Sequence, residues 1–249
     1  MTEYFAEFVG TFILILLGNG AVANVVLRNT KGENSGWIVI TAGWGMAVFI
    51  AVFTVGPISG AHINPAVTLG LATSGLFEWA KVAPFIIAQM LGAMAGGYLV
   101  YLFYHDHFKV TDNMDAKMAC FCTIPNIRNK KVNFLSETVG TFVLVFAVLF
   151  INLPFIEIEG MDNVKVGLGS LDALPVGLVV FAIGLSLGGT TGYAINPARD
   201  LGPRLIHSIL PMKAKRDSDW SYSWIPVAGP FCGAIIAALL YFFINWIAG

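Results

Sequence analysis

The sequence predicts an all-α membrane protein with six transmembrane helices and two re-entrant half-helices arranged as an inverted repeat. The prediction rests on composition, on the lengths of uncharged runs and on an internal repeat. Of the 249 residues, 57% are hydrophobic and 12% are charged, and the mean hydropathy is +0.75. A soluble domain usually has about 25% charged residues, so this chain has too little polar surface for a soluble fold. The net charge of −1 also argues against a nucleic-acid partner.

Uncharged runs identify the spans, because a helix needs about 20 apolar residues to cross the hydrocarbon core. Four such runs lie at residues 8–27, 82–104, 138–156 and 220–249. Two further runs, 34–77 and 173–198, each contain a Gly-rich break, at 56–60 and 188–192, followed by Asn-Pro-Ala and a short helix-compatible stretch. We therefore predict a full span and a half-span in each, with half-spans at about 64–75 and 196–208. Non-helical backbone at membrane depth is tolerated where it is buried in protein or lines a water-filled cavity, so these breaks indicate a polar pathway.

The two halves of the chain repeat each other. Residues 6–12 (AEFVGTF) recur as 136–142 (SETVGTF), and residues 60–70 (GAHINPAVTLG) recur as 192–202 (GYAINPARDLG). Each copy contains three full spans, so the second copy must be inverted relative to the first, which places a shared site near the bilayer midplane.

The predicted domain organisation is a single unit of two inverted repeats, at about 1–108 and 130–249, joined by loop 106–131. The third and sixth spans have small residues every four positions, a spacing that lets helices approach closely. These residues are Ala88, Gly92, Gly96, Gly229, Gly233 and Ala237.

The two Asn-Pro-Ala copies predict the chemistry of the shared site near the midplane, where the two half-spans should meet. Asn is a preferred N-cap and Pro a preferred first helical residue, so Asn64-Pro65-Ala66 and Asn196-Pro197-Ala198 should each begin a half-helix. Their amides are expected to face the lumen as donors. Each helix N-terminus has about half a positive charge, and Arg199 adds a full one, which would repel cations and hydronium. The predicted cargo is neutral and hydroxylic.

At these residues the chain resembles the major intrinsic protein family, the aquaporins and aquaglyceroporins, over nearly its whole length. The doubled Asn-Pro-Ala, the paired Glu-x-x-Gly-Thr-Phe segments and Gln89 and Pro230 match. Asp200, directly after the second Asn-Pro-Ala and Arg199, resembles the residue of the family's glycerol-conducting branch rather than that of its water-selective branch. The resemblance implies an aquaporin-like fold and a passive channel for glycerol, small neutral solutes and water that excludes ions and protons. It further implies a homotetramer with a pore in each protomer, no cofactor and no catalytic residue.

The resemblance also implies where solutes are selected. The family's constriction corresponds to Trp44, Gly184, Tyr193 and Arg199, with an apolar corner facing the arginine donors. Familiar glycerol facilitators have Phe at the position of Tyr193, whose hydroxyl would narrow the filter or add a hydrogen-bond partner. Backbone carbonyls are expected to line both halves of the pore, at Gly60, Ala61, His62, Gly192, Tyr193 and Ala194.

Other functions remain open from the sequence. Ionisable residues inside a membrane are functional candidates by default, so Glu7 and Glu137 could serve a proton-coupled transporter, or could brace the re-entrant loops. A chiefly water-conducting channel, or one for urea, hydrogen peroxide or lactic acid, is a further alternative. We expect no metal site, because the remaining histidines are scattered and the pair Cys120-x-Cys122 is weak support for a bridge or a metal.

The orientation has two opposing indications. The resemblance implies a multi-pass protein of the cell membrane with cytoplasmic termini. Most basic residues then fall in external connections, whereas the positive-inside rule would place the termini outside. The external residues would be Arg28, Lys31, Lys109, Lys117, Arg128, Lys130, Lys131, Arg204, Lys213, Lys215 and Arg216, against Lys81 and Lys165 inside.

Overall fold

A computed structural model describes residues 1–151, 155–156, 164–165 and 167–248. Within these residues there are ten α-helices, one 3₁₀ helix at Gly169–Ala173 and one antiparallel pair of two-residue strands. The helices are α1 (Glu3–Val26), α2 (Trp37–Ser59), α3 (Pro65–Thr73), α4 (Trp79–Phe103), α5 (His105–Val110), α6 (Met114–Ala119), α7 (Lys130–Phe150), α8 (Leu174–Ser186), α9 (Pro197–Ile209) and α10 (Ile225–Ala248). The strands are β1 (Phe155–Ile156) and β2 (Val164–Lys165).

Six of the described helical segments are long and apolar enough to cross a membrane, as predicted: α1, α2, α4, α7, the 3₁₀ helix continued by α8, and α10. Two boundaries differ from the prediction. Helix α7 begins at Lys130 rather than at 138, because the Asn129 side chain caps it by accepting from Val132 N. Helix α2 continues through Pro57 to Ser59, and it ends only at Gly60, whose φ is +81°. Part of the predicted span 138–156 lies outside the described residues.

The half-helices α3 and α9 are confirmed close to their predicted bounds, and they fill the positions of a seventh, split span. The helix contacts follow the inverted repeat. Helix α1 packs on α4 and α2 as α7 packs on α10 and α8, and α9 packs on α4 as α3 packs on α10. Helices α2 and α8 join the two halves.

Small residues bring the paired helices into close contact, as the spacing predicts. A Cβ added to Gly92 would lie 2.2 Å from the carbonyl oxygen of Phe8, and one added to Gly233 would lie 2.3 Å from that of Thr138. Both distances are far below van der Waals contact, so α1–α4 and α7–α10 depend on glycine at these positions.

Gly92→Ala is expected to lower the free energy of unfolding in detergent by about 1–3 kcal/mol, the usual range for overpacking. Gly20→Ala is the matched control, because Gly20 is also helical and a Cβ there meets nothing within 4 Å. The control should be neutral or stabilising by up to about 1 kcal/mol. Thermal unfolding of both variants makes the comparison, and equal stabilities would contradict the proposed contact.

The connection 106–131, predicted as a loop, contains the short helices α5 and α6, and its residues 120–123 are buried. Phe121, Cys120 and Cys122 are buried together with Met118 and Phe108 in an apolar cluster that reaches the C-terminal ends of α1, α4 and α9. Both cysteines are free thiols. Burial raises the pKa of the Cys122 thiol to about 12, so this thiol stays protonated and unreactive.

We call residues 105–129 and 210–224 together the cap. Many basic side chains of the cap are held by specific partners rather than by solvent. Lys117 Nζ donates to Lys213 O, Lys215 Nζ donates to the C-terminal carbonyls of α9 at His207, Ser208 and Leu210, Arg128 pairs with Asp219, and Arg216 pairs with Asp115. Burial would raise the pKa of Asp219, but its hydrogen bond and charge pairing with Arg128 hold that pKa below its usual value.

Candidate functional site

The two half-helices meet through their capping asparagines. Asn64 Oδ1 accepts from Ala66 N at 2.8 Å, and Asn64 Nδ2 donates to Ile195 O at 2.9 Å. Asn196 mirrors this, with Oδ1 accepting from Ala198 N at 3.0 Å and Nδ2 donating to Ile63 O at 2.9 Å. Each amide therefore uses one of its two hydrogens to tie the opposite loop, and one is left for the lumen.

The re-entrant loops that lead to these asparagines have an unusual and symmetric backbone. Three of four consecutive residues in each loop have positive φ, which is uncommon for side chains larger than glycine. They are Gly60 (+81°), Ala61 (+49°) and Ile63 (+44°) in the first loop, and Gly192 (+86°), Tyr193 (+36°) and Ile195 (+43°) in the second. Such a backbone persists only when its surroundings hold it.

Glu7 and Glu137 supply that support. The Glu7 carboxylate accepts from His62 N, Ile63 N, Ser59 Oγ and Gln89 Nε2 at 2.7–2.9 Å. The Glu137 carboxylate accepts from Ala194 N at 3.0 Å and Ile195 N at 2.9 Å. Both carboxylates are buried, with 0% and 1% of the residue exposed. Their contacts are those of the bracing role that the sequence left open.

A cavity of about 120 Å³ runs beside the meeting point. One side is formed by the loop backbones and asparagines, at Gly60, Ala61, His62, Asn64, Ala194 and Asn196. The remaining lining includes Leu14, Val48, Val52, Val67, Leu71, Leu144, Val148, Val176 and Val180. The lumen is thus polar along one stripe and apolar elsewhere, which suits a solute that has hydroxyl groups on a carbon backbone.

A second cavity, of about 750 Å³, opens toward the cap. Both cavities share only Trp44, Tyr193 and Arg199 among their lining residues, so these three form the constriction between them. The guanidinium carbon of Arg199 lies 4.2 Å from the centroid of the Trp44 ring, which is close enough for a cation–π contact.

Three polar atoms at this constriction are buried and have no hydrogen-bond partner in the described part of the chain: Trp44 Nε1, Tyr193 Oη and Arg199 Nη1. Buried polar groups are nearly always paired, and leaving one unpaired costs about 1–3 kcal/mol. Three such atoms around one opening indicate a place where a passing solute supplies the missing partners.

Gly184 lies behind Tyr193. A Cβ at Gly184 would lie 2.8 Å from both Cζ and Oη of that ring, and one at Gly188 would lie 2.5 Å from its Cδ1. The space left by Gly184 is therefore taken by the phenol ring, which reaches the lumen in its place.

Asp200 acts away from the lumen. It forms a fully buried ion pair with Arg204, at 2.8 Å between Oδ1 and Nε. Its Oδ2 accepts from both N and Oγ1 of Thr123, at 2.8 and 2.6 Å. Thr123 lines the second cavity and faces Gly192, so Asp200 holds the cap against the second loop.

His62 Nδ1 lies 3.1 Å from Thr68 Oγ1, and its ring packs against Phe77 and Phe85. Among the described residues no three His, Cys, Asp or Glu side chains are grouped to hold a metal.

Sequence reasoning missed Trp37 and Thr123. Trp37 lies seven residues before Trp44, a helical spacing that places both on one face and could have revealed it.

Six spanning helices around a split seventh span, with two cavities that meet at one constriction, define a membrane channel built from an inverted repeat. The chain belongs to the major intrinsic protein family: the family model described as Major intrinsic protein matches residues 1–241.

Relatives with known names agree with this assignment. The chain is 57% identical to a probable glycerol uptake facilitator protein of Thermotoga maritima, over 99% of this chain and all of the relative. It is 52% identical to a glycerol uptake facilitator protein of Streptococcus pneumoniae, over 97% of this chain and 98% of the relative. The X-ray structure of the aquaglyceroporin from Plasmodium falciparum superposes with a TM-score of 0.81, at 33% identity, covering 96% of this chain and 94% of that one. The predicted family and fold class are confirmed.

Proposed function

We propose that this protein is a passive, bidirectional channel for glycerol and related small neutral solutes, through which water also passes. The observation that carries the proposal is the set of three unpartnered polar atoms around the constriction, at Trp44, Tyr193 and Arg199. A polyol supplies hydroxyl groups to all three, and its carbon backbone lies against the aromatic faces. The names of the relatives support glycerol as the main solute.

In this proposal each residue acts by binding and orienting, and no bond is broken. Arg199 offers only donors, so it binds hydroxyl oxygens, and Tyr193 Oη can both donate and accept. The carbonyls of Gly60, Ala61, His62, Gly192, Tyr193 and Ala194 are proposed to accept solute hydrogens in sequence through the pore. Asn64 and Asn196 donate to a passing oxygen at the centre. The channel requires no cofactor.

Exclusion of ions and protons follows from charge. Two helix N-termini with about half a positive charge each face the centre, and Arg199 adds one at the constriction. At about 5 Å and an effective dielectric of ~20, one unit charge repels a cation by about 3 kcal/mol. A neutral solute does not meet this barrier, and donor amides at the centre interrupt a chain of hydrogen-bonded waters.

The alternative of a proton-coupled transporter needs Glu7 or Glu137 to take up and release protons. Their carboxylates instead accept hydrogen bonds from loop N–H groups in both halves, which favours the passive channel. Uphill solute uptake driven by a pH gradient in proteoliposomes would select the transporter.

Stopped-flow light scattering on proteoliposomes tests the main proposal. Glycerol and water gradients are applied in parallel to protein-containing and empty vesicles. We expect both fluxes to exceed those of empty vesicles. Water flux alone would indicate the chiefly water-conducting alternative, and glycerol flux no faster than in empty vesicles would overturn the proposal.

For Tyr193→Phe we expect glycerol to lose part of its advantage over propane-1,2-diol, which has one hydroxyl fewer. One hydrogen bond contributes about 0.5–1.5 kcal/mol, so the permeability ratio should fall by up to about tenfold. Tyr98→Phe is the control, because Tyr98 is an exposed side chain on α4. An unchanged permeability ratio in Tyr193→Phe would show that the hydroxyl does not contribute to selectivity.

We further propose one channel domain made of repeats at about 1–108 and 130–249, a homotetramer with a pore in each protomer, and a location in the cell membrane with both termini cytoplasmic. Most of the cap's basic side chains are bound to partners of their own, so their number says little about orientation. In this topology a membrane-impermeant thiol reagent labels Asn126→Cys from outside, whereas Glu78→Cys, which is also exposed, is labelled only after permeabilisation. The reverse pattern would invert the topology.

A further inference from the structure

The Tyr193 ring at the constriction is held in a slot. Gly184 and Gly188 form two sides, as their missing Cβ positions lie 2.8 and 2.5 Å from ring atoms. Trp37 forms another, with the two ring centroids 5.8 Å apart and the planes at 77°. The two glycines leave room for the ring but have no side chain to contact it. Trp37 is therefore the large side chain that packs against the ring in this slot.

Trp37 is itself fixed by a hydrogen bond. Its Nε1 donates to Gly184 O at 2.9 Å. Gly184 lies in the last turn of α8, where carbonyls lack partners within the helix. The indole therefore ties the first turn of α2 to the last turn of α8 and contacts the tyrosine between them.

Helix α2 thus delivers two tryptophans to one region. Trp44 is buried and lines both cavities, whereas Trp37 is 40% exposed and lines only the outer one. Trp37 therefore lies outside the constriction and touches one of its walls from behind.

We propose that Trp37 is a positioning residue that sets the upper size limit of the channel by holding the Tyr193 ring in the constriction. Without the indole, the ring has free space toward the outer cavity of about 750 Å³. The opening beside Arg199 then widens for part of the time, and bulkier polyols gain more from this than glycerol does. The inference rests on the proposed glycerol channel and adds to it a residue that determines specificity.

The experiment compares the permeability of a five-carbon polyol, xylitol, with that of glycerol in proteoliposomes. In Trp37→Leu the xylitol-to-glycerol ratio is expected to rise about two- to tenfold, the range that corresponds to loss of one aromatic contact. Trp37→Phe keeps a ring and loses the N–H donor, so its xylitol-to-glycerol ratio should lie between those of the wild type and Trp37→Leu. Trp220→Leu, a tryptophan in the cap that is 45% exposed, serves as the matched control.

A double variant separates positioning from a general structural role. In a Tyr193→Ala background there is no ring to hold, so adding Trp37→Leu should leave the ratio where Tyr193→Ala alone puts it. An additional rise there, or a wild-type ratio in Trp37→Phe and Trp37→Leu, would overturn the inference. Failure of the proposed function looks different, because the wild-type protein would then conduct no glycerol at all.

Discussion

Asp200→Asn is expected to lower the free energy of unfolding by about 3–5 kcal/mol, because it leaves the buried Arg204 charge without its counter-ion. Both residues of this pair are fully buried in their side chains. Asparagine has nearly the same shape as aspartate, so the loss reflects charge rather than volume. Chemical or thermal unfolding in detergent measures it.

The damage should extend into the cap. Arg204 also donates to Ser218 O at 2.7 Å and to Thr123 O at 3.1 Å, and Asp200 Oδ2 accepts twice from Thr123. Loss of the pair therefore loosens both segments of the cap. Proteolysis or hydrogen exchange of residues 105–129 should become faster at the same time.

An exposed pair of similar spacing provides the control. Asp106 and Lys109 lie 3.0 Å apart on α5, and the Asp106 side chain is 88% exposed. Asp106→Asn should change stability by less than about 1 kcal/mol. Equal effects of Asp106→Asn and Asp200→Asn on the free energy of unfolding would show that the buried pair stabilises the protein no more than the exposed pair.

The sequence was sufficient to predict the split helices because their chemistry is local. Asn64 and Asn196 each accept from the N–H two residues further on, and proline occupies the first helical position after both. Caps of this kind need no distant partner, so two copies in uncharged runs identify both half-helices and their bounds within about two residues.

The cap could not be predicted because its contacts join distant residues. The charges of 106–131 resemble a solvated loop, yet Asp115 pairs with Arg216 and Arg128 with Asp219. No local pattern reveals such pairs, and none reveals that Phe121 is fully buried. For the same reason a count of basic residues treats paired cations as free ones.

The constriction lies between these cases. The resemblance to the family, carried over by spacing from the repeated motifs, implied Trp44, Tyr193 and Arg199, which the structure brings together. That the phenol ring fills the space of Gly184, with Trp37 behind it, depends on the positive φ of Tyr193 and on how α2 meets α8. Those are features of the assembled fold, so Trp37, which we propose as a positioning residue, was missed.

Arg199→Leu is expected to raise cation permeability about 100-fold, which corresponds to removing a barrier of about 3 kcal/mol. Arg199 is 6% exposed, and its guanidinium lies over the Trp44 ring where the two cavities meet. Bulk solvent and salt screen a buried charge less than a surface one, so its charge acts on a passing ion at an effective dielectric of ~20 rather than that of bulk water. Glycerol should lose selectivity over alcohols with fewer hydroxyls, because one set of donors is gone.

Arg28→Leu makes the same change in net charge at an exposed position outside the cavities. Ion flux is measured in proteoliposomes with a potential-sensitive dye and a pH-sensitive dye. The barrier has two sources, Arg199 and the half-helix N-termini, and only the first is removed. The permeability to protons should therefore rise less than the permeability to other cations, since Asn64 and Asn196 still orient water at the centre. Cation flux in Arg199→Leu no greater than in Arg28→Leu would assign exclusion to the split helices alone.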